Sequence, residues 1–557
     1  MTEAVRMVGP ERVPANVVCE LELTAARDHD DPWSEIELDV EFSDPDGRML
    51  TVPAYWAGGR TWRVRYSSPT AGVHRYRSVV RADGETGLEG FDGEVTVTGY
   101  DGANPLLLHG APRVADDRRH LAHADGTPFF WLGDTWWMGM IGRFRWPDTF
   151  QTLADDRAAK GFSVVQIVAG LVPECIPFSE TMVNEGGQPW TEEGAGAVNP
   201  AFFSVPDLKI DYLVGKGIVP CMVGAWGFYA NWLGEERVQR HWRYLVARYA
   251  AYPVVWCIAG EVDIAWRPGA DFDPLADGQP VEQVRVWEDA SRIVKEIDPF
   301  GRVRTVHPCP LWTYASSEAF SSRESFDLDM LQTGHTGMHC VPETMEHLQG
   351  ALAHGDKPVL NGECSYEGIF DSCWQDVQRF LFWSHMLSGT AGHTYGTMAI
   401  STFNSKEDPR WPVSRVSVHF WEDAIDWLGA AHVGVGRRIL ERFAWWELEP
   451  CREAIAPHAG PEDWILPYAA RLPDGTLIAY IPGAGALGSD GFFRLRDLAL
   501  VGLEDGEYDC VYIDPRTGRD VWPMRASSAG GRLPLRREGL FAAPTGEDWV
   551  LVVRRGG

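Results

Sequence analysis

No segment of this 557-residue chain reaches membrane-spanning length. The N-terminal stretch MTEAVRMVGPERVPANVVCE has neither a basic region leading into an apolar run nor a small-residue cleavage site. Basic residues are also scarce: 50 against 79 acidic ones give a formal charge of -29, which would repel phosphodiester backbones and anionic membrane surfaces. Nucleic acid and membrane are therefore not expected as partners. The ten cysteines include no CxxC pair, and Cys221, Cys257, Cys309 and Cys364 lie in or beside predicted strands, as reduced thiols acting as small hydrophobes do. A cytoplasmic location is the expectation. There is no internal repeat and no low-complexity tract. GDTWW at 133–137 is not the glycine-rich phosphate loop that follows the first strand of a doubly wound nucleotide-binding sheet, and no cofactor is expected.

What the chain does have is apolar material, 45% of its residues, enough for several cores and hence for a multidomain protein. Residues 1–105 read as an antiparallel β-sandwich: Ile36, Leu38, Val40 and Phe42 alternate with polar neighbours, as do Trp62, Val64 and Tyr66, with DPDG and AGG as turns. Between 106 and 445 the rhythm is strand, helix, strand. Apolar runs recur at Phe129–Leu132, Val164–Val168, Val219–Val223, Val254–Ile258, Arg304–His307, Leu328–Gln332, Pro358–Leu360 and Gly389–His393. Helical faces lie between them, such as Val238, Trp242, Leu245 and Tyr249, or Val284, Trp287, Val294 and Ile297. Eight alternating units predict a (β/α)8 barrel. From 446 to 557, GTLIAYIPG, GEYDCVYIDPRTG and EDWVLVVRR alternate without helical period, predicting a second antiparallel sandwich.

A barrel of this kind carries its chemistry at the C-terminal strand ends, and those ends are polar here. They supply Asp134, Trp136, Trp137, Gln166, Trp226, Glu261, Asp263, His307, Gln332, His335, Glu363, Tyr366, Glu367, His393 and Tyr395. Glu261 and Glu363 stand out because each follows a buried run and a glycine, in AGE and NGE on strands four and seven. Two carboxylates about 5–5.5 Å apart serve a retaining glycosidase as acid/base and nucleophile. Burial between Trp256 and Trp266 would raise the pKa of Glu261 for the acid role, and repulsion would leave Glu363 ionised as nucleophile, with His335 placed to orient it. Asp263 and Glu367 are neighbours that could take either part. Asp134, Gln166, Gln332 and His393 read as ligands for sugar hydroxyls, and Trp136, Trp137, Trp226 and Trp312, among 25 tryptophans, as stacking platforms. His307, Cys309, His335, His339 and Cys340 have no standard zinc spacing, so no metal is expected. The loop NSKEDPRW near 404 shapes the pocket or has no role.

FFWLGDTWW, RYAAYPVVWCIAGE, MLQTGH, KPVLNGECSYEG and SGTAGHTYG resemble the ordered strand-end motifs of the apiosidase-like glycoside hydrolases. The resemblance implies a barrel with acid/base on strand four and nucleophile on strand seven, an N-terminal β domain, and a C-terminal sandwich of the type labelled collagen-binding-like. It departs at one point: the family pattern carries Asp where this chain has Glu261, so the sugar is not fixed. The leading expectation is a retaining hydrolase acting on a small glycoside or oligosaccharide. The alternatives are a noncatalytic carbohydrate- or matrix-binding protein on a barrel scaffold, and metal-assisted hydrolysis.

Overall fold

The computed structural model describes residues 7–556 except 83–85, 193–195, 265–277, 279, 409–417, 458–463, 465–466, 484–497 and 536–542. In the N-terminal part the strand Ile36–Ser43 buries Ile36, Leu38, Val40 and Phe42, as its alternation requires, and pairs antiparallel with Met49–Pro53 and Gly72–Ala82. That five-stranded sheet shares a core with a three-stranded antiparallel sheet made of Cys19–Thr24, Tyr55–Gly58 and Thr61–Tyr66. The antiparallel expectation fails at one edge, where Arg12–Pro14 runs parallel to Thr96–Thr98. Pro14 has no N–H to give, and an edge strand is where that omission costs least.

The central part contains eight parallel strands: β1 (Trp131–Trp136), β2 (Val164–Val168), β3 (Val219–Val223), β4 (Val255–Cys257), β5 (Arg304–Thr305), β6 (Asp329–Gln332), β7 (Val359–Glu363) and β8 (Gly392–Thr394). Six form one ladder in the order β5-β4-β3-β2-β1-β8, and β6 and β7 form a separate parallel pair. The pair meets both edges of the ladder: Asp327 and Leu328 donate to the Arg304 carbonyl (2.7 and 3.1 Å), and Ala391 donates to the Val359 carbonyl (2.8 Å). The longer helices are α1 (Asp148–Lys160), α2 (Pro200–Gly215), α3 (Ala230–Tyr249), α4 (Val281–Ile297), α5 (Val341–Leu352), α6 (Gln375–Met386) and α7 (Leu428–Leu440). α3 and α4 bury the faces read from their period, with Ile297 only partly covered. The run Phe129–Leu132 is not one strand. Pro128–Phe129 pairs antiparallel with Leu121–Ala122 in a small sheet, and β1 begins at Trp131.

The C-terminal part is a six-stranded sheet facing a three-stranded one, both antiparallel. Their shared core includes Leu477, Leu500, Leu533 and Leu551. The outer face of the larger sheet packs on α6, where Tyr480 stacks on Trp383 (6.0 Å) and Arg379 makes a bidentate pair with Asp548 (2.7 and 2.9 Å). No helix among the described residues is long and apolar enough to cross a membrane.

Candidate active site

Glu261 follows β4 in a backbone held on both sides. The Trp226 ring packs on the α-carbon of Gly260, so close that a Cβ there would lie 2.3 Å from it. Gly227 donates to the Gly260 carbonyl (2.7 Å) and Val262 to the His307 carbonyl (2.9 Å), tying the turn to the extensions of β3 and β5. Between these ties Glu261 sits at φ 41°, a left-handed conformation that costs a residue with a side chain and persists only where its surroundings impose it. Glu363 ends β7. The pairing of β6 with β7 shifts register between Leu331 and Gln332, so that Gln332 skips Gly362 and lies opposite Glu363. The bulge is what brings the two side chains together.

Gln332 then joins both carboxylates. Its Nε2 donates to Glu261 Oε1 (3.2 Å) and to Glu363 Oε1 (3.0 Å), so those two oxygens are no farther apart than the two bonds laid end to end. His335 Nε2 lies 2.8 Å from the same Glu363 Oε1. Glu363 Oε2 faces His307 Nε2 (3.2 Å). Trp226 Nε1 donates to Glu261 Oε2 (3.1 Å). Trp137 packs edge-on against Trp226 (5.2 Å) and His307 (5.4 Å), and Tyr366 lies against His335 (4.7 Å) with its hydroxyl next to Glu363.

The two acids are driven apart electrostatically. Burial, and then the charge of Glu363, push Glu261 up to about 7. Burial alone would raise Glu363 too, but His307 and His335 outweigh it and hold that carboxyl well below the ordinary range. Of the two, Glu261 is the one that holds a proton, and it does so up to about neutral pH.

Several predicted residues are placed elsewhere, for a reason of parity. On β1, Asp134 and Trp136 point to the helix side: Asp134 accepts from Arg157 of α1 (2.6 Å) and from Trp136 Nε1 (2.8 Å), and the Trp136 ring packs on Phe150. On and just past β8, His393 and Tyr395 share that direction. His393 meets His385 of α6 (3.1 Å), and Tyr395 donates to Glu367 (2.6 Å). Gln166 donates to the Gly362 carbonyl (2.7 Å), acting on the strand that carries Glu363. Trp256 is not the wall of Glu261, since its indole N–H goes to Asp298 (2.9 Å) and its ring to Trp242; that wall is Trp226, and Trp266 lies outside the described residues.

Asp263 and Glu367 are both fully engaged. Asp263, pushed up to about 6 by burial, accepts from Cys309 N (2.8 Å) and Thr313 Oγ1 (2.6 Å) and so anchors the loop after β5. Glu367 accepts from Gly429 N (3.0 Å) as well as from Tyr395. Trp312 is half-buried in the Asp263-anchored loop, and residues 409–411 of NSKEDPRW lie outside the described residues. His339 is exposed, and among the described residues no three His, Cys, Asp or Glu side chains converge as a metal site. Sequence reasoning missed Asn361, whose side chain accepts from Glu363 N (3.2 Å) and donates to Thr333 (2.7 Å), fixing the end of β7. Its place in NGE, two residues before the acid, was the available signal.

Residues 115–447 match the family described as apiosidase-like, catalytic domain, and residues 13–81 match a domain of unknown function, DUF5060. A comparison with curated proteins returned no match. Among solved structures, a glycoside hydrolase family 5 protein from Bacteroides vulgatus ATCC 8482 superposes with a TM-score of 0.63 at 21% identity, covering 82% of this chain and 95% of that one. A candidate glycoside hydrolase from the same organism gives 0.67 at 20% identity over 98% and 100% of the two chains. A further glycoside hydrolase gives 0.64 at 21% identity over 81% and 98%. At these identities the likeness is one of fold. The family match spans more than half of the sequence, and the chain belongs to the apiosidase-like glycoside hydrolase family.

Proposed function

We propose that the eight strands close as a (β/α)8 barrel between two β-sandwich domains, at boundaries 1–105, 106–445 and 446–557, and that the barrel hydrolyses a glycoside with retention. The observation that carries this reading is one amide, Gln332 Nε2, bonded to two carboxylates whose proton affinities are displaced in opposite directions. The separation that this shared donor permits suits a retaining pair rather than the about 6.5–9.5 Å that leaves room for an inverting water. The ionised carboxylate of Glu363 attacks the anomeric carbon as the C–O bond to the leaving group breaks and Glu261 gives its proton to that oxygen. The glycosyl ester on Glu363 is then cleaved by water, whose proton returns to Glu261. Trp226 and Gln332 hold the Glu261 carboxyl in line, and Trp137 and His307 wall the reacting centre. In this reading carbohydrate is the only partner required.

The pH profile tests the assignment. On a panel of aryl pentosides and hexosides of both anomers, kcat/KM of the cleaved substrate is expected to fall as pH rises through about 7, where Glu261 loses its proton. No loss is expected through the ordinary carboxylate range on the acid side, because Glu363 stays ionised there. Glu261→Gln removes the basic limb and slows a poorly activated leaving group by about 10²–10⁴-fold, less for an activated one. An unchanged profile in that variant would end the assignment. Saturable sugar binding with no cleavage anywhere in the panel would instead favour the noncatalytic reading.

A further inference from the structure

We infer that Phe370 is a stacking platform for the leaving group, selecting substrates whose aglycone presents a flat apolar face; this rests on the glycosidase reading above. Aromatic residues make up 12% of the sequence, yet among the described residues Phe370 is the only Phe, Tyr or Trp that is exposed, at 59%. Its backbone is also in a disfavoured state. Phe370 (φ 50°), Asp371 (φ 55°) and Cys373 (φ 60°) all lie in the left-handed region that side chains avoid.

That conformation is imposed by a closed knob on the loop after β7. Gly368 donates to the Ser372 carbonyl (2.9 Å) and Asp371 to the Gly368 carbonyl (3.1 Å), while the Ser372 N–H and hydroxyl both donate to the Ile369 carbonyl (3.0 and 2.9 Å). Its two feet, Ile369 and Cys373, are buried, and the Trp427 ring packs on the α-carbon of Gly368 so closely that no side chain would fit there. Asp371 lies 3.4 Å from His419 on the loop after β8. A single exposed apolar ring needs no explanation by itself, but one held out on a backbone that side chains avoid does, and such backbone states cluster at ligand clamps.

The same loop follows directly on Glu363 and supplies Tyr366, whose carbonyl accepts from Ile369 N (3.3 Å) at the foot of the knob. On this proposal the leaving group extends outward past Tyr366 from the acids to the knob, and the apolar face of a sugar or aryl ring is the chemistry a phenylalanine can hold, since it has no polar handle. A small alkyl aglycone does not reach it.

The test compares Phe370→Ala, Phe370→Tyr and Phe370→Gly on matched 4-nitrophenyl and methyl glycosides of the sugar that the panel identifies. Phe370→Ala is expected to lower kcat/KM for the 4-nitrophenyl glycoside at least tenfold, mainly through KM, and to leave the methyl glycoside within twofold. Phe370→Tyr retains the discrimination, while Phe370→Gly loses it and raises the melting temperature, because glycine accepts the left-handed backbone. Equal losses on both substrates, or none on either, would overturn the inference. Should the wild type cleave nothing in the panel, the roles given to Glu261 and Glu363 fall, and calorimetry with matched 4-nitrophenyl and methyl glycosides of each panel sugar decides the platform separately. A preference for the aryl ligand that Phe370→Ala abolishes sustains it, and no preference overturns it.

Discussion

Glu363→Ala is expected to lower turnover by about 10⁵-fold, the scale seen when a covalent nucleophile is removed. The loss comes from the first step, since no other group in the site can form the ester. Gln332 and His335 would still point at the vacated position, but neither is an anionic oxygen, and Glu261, still raised by its burial though no longer by the charge of Glu363, remains the acid for the leaving group. The vacancy makes a second readout available. Azide entering from the Glu363 side would attack the anomeric carbon of an activated aryl glycoside, restoring part of the rate and giving a glycosyl azide of the opposite anomer, visible by proton NMR. Glu363→Gln should be as inactive as the alanine variant but resist azide, because the amide fills the space. Residual turnover within tenfold of wild type, or an azide product with retained configuration, would remove Glu363 from the reaction.

The route from sequence to this site was open where the chain's own periodicity carries information. Apolar runs marked where most of the strands lie, though Phe129–Leu132 straddled two of them, and a glycine before each glutamate marked the positions where a carboxylate leaves a buried strand. What periodicity does not give is the residue at which a strand stops. Asp134, Trp136 and Trp137 are near neighbours of like promise, yet only Trp137, just past the end of β1, turns toward the acids. Asp134 belongs to Arg157, a partner on the following helix that no local pattern names. The same holds for His393 and Tyr395 around the end of β8. Nor is the bulge opposite Glu363 written in MLQTGH, because it depends on two strands whose register is settled only by pairing. Phe370 was invisible for the opposite reason: a lone Phe in GIFDS reads as core until its backbone angles and exposure are known.

The largest effect on stability is expected far from the acids, at Asp207. Its carboxylate on α2 accepts from Arg65 of the N-terminal strand Thr61–Tyr66 (3.2 and 2.6 Å) and from Arg248 of α3 (2.9 and 2.8 Å), and all three side chains are buried or nearly so. Asp207→Ala leaves the two guanidiniums unequally placed. Arg65 keeps Glu20 (2.7 Å), whereas Arg248 keeps no carboxylate, just the Tyr244 hydroxyl (2.6 Å) and the faces of Tyr55, Phe203 and Tyr244. A stranded buried charge costs about 3–5 kcal/mol, and that loss is the one expected in urea unfolding followed by tryptophan fluorescence. The triple replacement Arg65→Met, Asp207→Leu, Arg248→Met should recover most of it, because desolvating an ion triad takes back much of what its attraction supplies. Acid should reproduce part of the effect without mutation. Burial would raise Asp207, but Arg65 and then Arg248 overcome it and lower it to about 2, against about 3.9 for an unfolded aspartate. The contribution, on the order of 2–3 kcal/mol, is thus present above pH 4 and lost as pH falls through about 2. Asp207→Asn cannot lose it that way, so its stability should depend less on pH over that window than that of the wild type. Parallel acid slopes for the two proteins would show that the two arginines are not held by charge.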